Sequence, residues 1–128
     1  MKGYILNIEK ETLENTDYRR VLYTAQNCQL VLMSLKPGEE IGEEIHELDQ
    51  FIRVEVGNAK VYLDGVEHEL NADMAVVIQR GTKHNVKNIG DTDLKLYSVY
   101  SPPQHKDQTV HHTKADETEE HFDGKTTE

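Results

Sequence analysis

Cysteine is nearly absent from this chain, and tryptophan is missing altogether. One thiol, Cys28, cannot form an internal bridge, so nothing in the fold can depend on a disulfide. Cys28 lies in Asn27-Cys28-Gln29-Leu30-Val31 and reads as a small buried strand residue. Basic residues are scarce as well: 14 against 24 acidic ones, for a net charge of −10. That balance removes the basic stripe that nucleic-acid binding needs and disfavours anionic membranes. No apolar run approaches transmembrane length, and no secretory signal follows Met1-Lys2-Gly3-Tyr4. A soluble, cytoplasmic, single-domain protein is the expectation at 128 residues.

What is present is a series of short strand-forming runs. Ile5, Ile8 and Leu13 suggest one face of a short helical turn, with Asn7 as its cap. Strands are predicted over 18–24, 28–35, 50–56, 60–63, 66–70, 74–78, 84–88 and 94–100. Asp64-Gly65 supplies the positive φ angles of a two-residue hairpin turn. Regular turns with no alternating helices indicate an all-β sandwich or barrel. Ser101-Pro102-Pro103 ends the pattern, giving a barrel domain over 1–103 and an acidic, polar C-terminal tail over 104–128.

Strand parity then locates a site. Along 50–56 the even positions Gln50, Ile52, Val54 and Val56 form the apolar, inward set. Along 84–88 the corresponding set is His84, Val86 and Asn88, and Glu44 and His46 share one face of their own strand. Three elements thus aim Glu44, His46, Gln50 and His84 into a mostly apolar interior. His68 reads as a surface strand residue, and Tyr62, Tyr97 and Tyr100 as core or rim packing, with one of them able to line the cavity. Phe51 and Arg53, on the opposite parity, could serve an interface. The tail histidines His105, His111, His112 and His121 read as solvated. A sharper possibility is that the Pro-Pro segment turns His105 back over the barrel mouth.

The spacing Gly38-x5-Glu44-x-His46-x3-Gln50-x6-Gly57, followed by Gly81-x2-His84-x3-Asn88, resembles the two signature motifs of the cupin superfamily. Glu44 stands where that family has its first histidine and Gln50 where it has glutamate. Asp73 and Gln79 replace a glycine and a proline of the second motif. Carboxylate and neutral ligand have exchanged places, so the shell keeps one negative charge. The resemblance implies an antiparallel jelly-roll β-barrel with one divalent metal ion (Zn, Mn, Fe, Ni or Co) held by Glu44, His46, Gln50 and His84. Glu44 would double as the catalytic base. The implied function is a metal-dependent small-molecule enzyme, with sugar or sugar-phosphate isomerisation as in the phosphomannose isomerase-like branch placed first. Cupin dioxygenation and a non-catalytic ligand-binding barrel are the alternatives. The resemblance also implies a homodimer, with residues 18–24 as an edge strand in need of cover.

Overall fold

The computed structural model describes residues 2–128. Helix α1 (Ile8–Glu14) opens the chain, and the Asn7 side chain accepts a hydrogen bond from the Lys10 backbone N–H at 3.1 Å, as an N-cap should. The face it buries is not the expected one. Thr12 is fully buried, whereas Leu13 is 42% exposed and Ile5, which precedes the seven-residue helix, is 89% exposed.

Nine strands follow with the parity and the turns set by the sequence, and the tail adds one more. They are β1 (Arg19–Thr24), β2 (Gln29–Leu35), β3 (Glu44–Ile45), β4 (Asp49–Val56), β5 (Asn58–Leu63), β6 (Val66–Asn71), β7 (Ala75–Ile78), β8 (Lys83–Asn88), β9 (Leu94–Ser101) and β10 (Val110–His111). They form two antiparallel sheets, ordered β10-β1-β2-β9-β4-β7 and β3-β8-β5-β6. The β5–β6 hairpin turns on Asp64 (φ 49°) and Gly65 (φ 83°), the doubly positive turn that Asp-Gly favours. This is the jelly-roll arrangement, with inward side chains of both sheets meeting in one core. Val31, Met33, Leu35, Ile52, Val54, Val61, Val86, Leu94 and Leu96 are buried there.

Three further expectations change in the structure. Val56 is 38% exposed, because the β4–β9 register slips by one residue between Val54 and Val56 and the bulge turns its side chain out. Cys28 is exposed: β2 starts one residue later, and Cys28 closes the preceding turn by accepting a hydrogen bond from the Ala25 N–H at 2.9 Å. The edge of β1 is covered by the chain's own tail. Val110 and His111 pair with Arg20 and Arg19, Val21 N–H bonds to Thr109 O at 2.9 Å, and Thr127 bonds to both backbone groups of Thr24. An edge filled in this way needs no partner strand. No helix among the described residues is long and apolar enough to cross a membrane.

The tail runs back across the mouth of the barrel, where its fastenings are specific. Gln29 is fully buried and uses all four hydrogen-bonding positions of its amide. Its Nε2 donates to Thr24 Oγ1 (2.9 Å) and His105 O (2.7 Å), and its Oε1 accepts from Gln104 N (3.2 Å) and His105 N (2.9 Å). Further along, Lys114 Nζ donates to Ile41 O at 3.1 Å, and Arg19 pairs with Glu117 at 2.8 Å.

Candidate metal centre

β3 and β8 are neighbours, and their register sets Glu44 directly opposite His84. His46 follows two residues after Glu44, and its carbonyl accepts a hydrogen bond from Gly81 N–H at 3.0 Å. That bond stitches the segment carrying Glu44 and His46 to the turn before His84. Gly81 adopts φ 83°, which allows the turn. Gln50 enters from the opposite sheet at the start of β4, paired with Tyr100 on β9.

Glu44, His46 and His84 each offer a ligand atom, and these atoms lie within 4.8 Å of one another. The two imidazoles meet edge to face with ring centroids 4.9 Å apart, and Glu44 Oε2 contacts His46 Nε2. His84 Nδ1 lies 2.9 Å from Thr82 O. A carbonyl only accepts, so Nδ1 carries the proton and Nε2 is left with its lone pair, the usual orientation of a metal-binding imidazole. Together the three residues form a group able to hold a metal ion.

Buried polar atoms left open support the fit. Gln50 is 4% exposed; its Nε2 donates to Ser98 Oγ at 2.9 Å, and its Oε1 is buried without a partner. His46 is 9% exposed, and its Nδ1 is also buried and unpartnered. Leaving such an atom unpaired costs about 1–3 kcal/mol, so two of them in one pocket indicate a missing partner. All four sequence-predicted residues line one small cavity, together with Ile52, Val86 and Tyr100.

The electrostatics are set by burial and by one cation. Burial pushes the Glu44 carboxyl up, but the hydrogen bond from His46, with the charges of His46, Arg19 and His84, outweighs it and holds Glu44 below the usual carboxylate value. Burial pushes the Tyr100 hydroxyl up to about 12, against the pull of Arg19. Burial, reinforced by the Arg19 charge, pushes His105 down to about 2, so its ring is neutral.

Arg19 was invisible as a site residue in the sequence. It is 3% exposed at the start of β1, bonded to Glu117 and 3.3 Å from His111 Nδ1. Of the tail histidines, His112 and His121 are exposed as expected, whereas His105 and His111 depart from the solvated reading. His105 packs edge-on against Tyr100 (5.1 Å, 90°), His111 is buried, and His112 pairs with Asp17 at 2.7 Å. The Pro-Pro segment does turn His105 over the mouth. There a second cavity of about 590 Å³ opens onto Glu44 and His46, walled by residues 41–46 on one side and by 104–105 and 117–121 on the other. Only the Pro-Pro pair hinted at this; the tail has no apolar periodicity that could have located it.

Comparisons with known proteins agree with this architecture. The cupin-domain family model matches residues 31–100. The chain is 46% identical over 122 residues to the uncharacterized protein YrkC of Bacillus subtilis, covering 90% of this chain and 66% of that one. It is 33% identical over 72 residues to the polyketide synthase protein CurC of Streptomyces cyaneus, covering 56% of this chain and 47% of the relative. The chain thus spans about two thirds of the first curated relative and about half of the second. The crystal structure of BH2720 from Bacillus halodurans superposes with a TM-score of 0.88 at 47% identity, covering 90% of this chain and 92% of that one. With two signature segments, two facing antiparallel sheets and a Glu-His-His group inside one end, the chain belongs to the cupin family.

Proposed function

We propose that this protein is a metal-dependent enzyme acting on a small molecule, with Glu44, His46, Gln50 and His84 holding one divalent ion. The observation that carries the reading is the convergence of three ligand atoms within 4.8 Å beside the unpartnered Gln50 Oε1, at the base of a cavity. Two imidazoles, a carboxylate and an amide oxygen make an N/O set suited to Zn, Mn, Fe, Ni or Co. When bound, such an ion polarises a carbonyl or hydroxyl oxygen.

The chemistry placed first is proton transfer beside a carbonyl, of the sugar-isomerase type. Glu44, held ionised and released from its place among the ligands, would take the proton from the carbon bearing the hydroxyl and return it to the neighbouring carbonyl carbon. The hydroxyl proton passes to the former carbonyl oxygen, so the step needs no co-reactant. CurC, as a polyketide synthase protein, supports chemistry next to a carbonyl without favouring sugars. Dioxygenation, with dioxygen as co-reactant, is the second reading; two histidines and one carboxylate are the donor set of many non-haem iron oxygenases. The single thiol supports a cytoplasmic setting. The proposal includes a homodimer. Val77, 70% exposed beside Phe51 on the larger sheet, is a better contact for it than the covered β1 edge. A monomer mass in light scattering across a dilution series refutes the dimer.

Elemental analysis of untagged protein tests the centre. Near-stoichiometric metal is expected in the wild type and background metal in His46→Ala/His84→Ala. Equal metal in the two refutes the ligand assignment. No metal after reconstitution leaves a ligand-binding barrel, and the identity of a bound metal ranks isomerase against oxygenase.

A further inference from the structure

The segment that follows the family's domain builds half of the cavity above the metal centre. The family model ends at residue 100, yet residues 104–105 and 117–121 wall the space onto which Glu44 and His46 open. The wall is a fixed part of the fold. Gln29 grips the His105 backbone from both sides, Phe122 N–H bonds to Gln104 O at 3.0 Å, and Lys114 ties the tail to the Ile41 carbonyl at the root of the ligand-bearing loop. His46, nine-tenths buried with its Nδ1 unpartnered, marks the cavity as a place where a ligand is expected.

The charges on that wall are one-sided. Glu43 and Glu44 face the cavity from the mouth loop, and Glu117, Glu119 and Glu120 face it from the tail. Arg19 is the cation of the lining, held by Glu117 at 2.8 Å, while Lys83 pairs with Glu43 at 3.4 Å and Lys114 lies 4.0 Å from Glu117. Among the described residues, Glu119 and Glu120 are in no ion pair, so these two carboxylates set the field of the tail wall. Like charges converging on one cavity repel an anion entering it, and because Glu119 and Glu120 are exposed the effect weakens with added salt.

We propose that the C-terminal segment is the substrate-selecting wall of the metal cavity, admitting uncharged or cationic small molecules and turning away phosphates and carboxylates. This rests on the metal-centre reading above, and narrows it: a free sugar or a neutral polyketide-like carbonyl compound fits, and a sugar phosphate does not.

The test uses the full chain loaded with cobalt(II), whose visible absorption reports on whatever enters its coordination shell. The probes are glycolate and glycolamide, which share one hydroxyl-carbonyl framework and differ in charge. In low-salt buffer, Glu119→Lys/Glu120→Lys should bind glycolate at least about fivefold more tightly than wild type, with glycolamide unchanged, and added salt should shrink the difference. Glu119→Gln/Glu120→Gln, which keeps the size of both side chains, should shift glycolate in the same direction by less, and stands in should the lysine variant fail to fold. Unchanged glycolate binding in both variants overturns the selecting wall while leaving the metal centre intact. Equal tightening for both probes overturns it too, since that would mean a looser mouth, not a charge filter. A wild-type protein that takes up no cobalt overturns the metal-centre reading and this proposal with it.

Discussion

Asn88 and Gln50 are both buried amides inside the same barrel, 1% and 4% exposed, and the structure treats them in opposite ways. At one end of β8, Asn88 is used fully. Its Nδ2 donates to Leu35 O (3.0 Å) and Thr92 O (2.9 Å), and its Oδ1 accepts from Gly90 N–H (2.9 Å). At the other end of the barrel, Gln50 spends its Nε2 on Ser98 and leaves its Oε1 open next to the unpartnered Nδ1 of His46. Burial alone therefore does not separate a structural polar residue from a functional one. Under the proposed metal-centre reading, completeness of hydrogen bonding separates these two amides, because an open buried acceptor carries a stability cost that a bound ion would offset.

The largest effect should come from breaking the satisfied end. Asn88→Ala strips partners from two carbonyls and one N–H that remain in place, and a loss of roughly 2–4 kcal/mol is expected. For a domain of this size that is a fall in Tm of roughly 10 °C, measured by calorimetry on the metal-free protein so that ion binding does not contribute. A change under roughly 0.5 kcal/mol would show that the Asn88 bonds are readily replaced by water, and the contrast with Gln50 would lose its meaning.

Asn88, Gln50 and His84 were legible for one reason: strand side chains alternate, so a parity count along the sequence places them inward. The same count failed at Val56, where a bulge inserts a residue and inverts the alternation. The pairing of Glu44 with His84 was legible only through motif spacing, since antiparallel register across 40 residues is a tertiary fact. Arg19 and Glu117 were not legible. One sits in a strand that reads as an ordinary edge, the other in a run of charges that reads as solvated, and their contact spans 98 residues. Cys28 failed by a single residue, because a strand boundary decides between core and turn there. The path of the tail was not legible, because it is fixed by hydrogen bonds to backbone and to Gln29, and such bonds leave no periodicity in a sequence.

His105 sharpens the comparison at intermediate size, since it brings a buried ring with an unpartnered Nε2 from the tail to the functional end. Its folded value of about 2 lies below the ordinary 6.5. Between these values the unfolded chain binds the proton and the folded chain does not, so stability is complete above pH 6.5 and declines as pH falls. Replacement by phenylalanine keeps an apolar ring against Tyr100 and removes the titration. Urea unfolding between pH 7 and pH 5, a window above most carboxylate titrations, should show wild type losing stability with acid and His105→Phe losing visibly less. Parallel curves would mean that the tail opens and solvates His105 before the barrel unfolds.

The smallest expected effect on stability carries the most information about function. Gln50→Met keeps length and volume and removes both the bond to Ser98 and the open acceptor. The lost bond costs about 1 kcal/mol and the relieved Oε1 returns a similar amount, so the net change in the metal-free protein should stay within about 1 kcal/mol. Metal affinity should respond differently. If Gln50 Oε1 is a ligand, competition with a chromogenic chelator should show at least about tenfold weaker binding. Stability unchanged with affinity reduced is the signature of a residue retained for a ligand. Stability reduced as far as in Asn88→Ala, with affinity intact, would make Gln50 a second Asn88, and the centre would shrink to Glu44, His46 and His84.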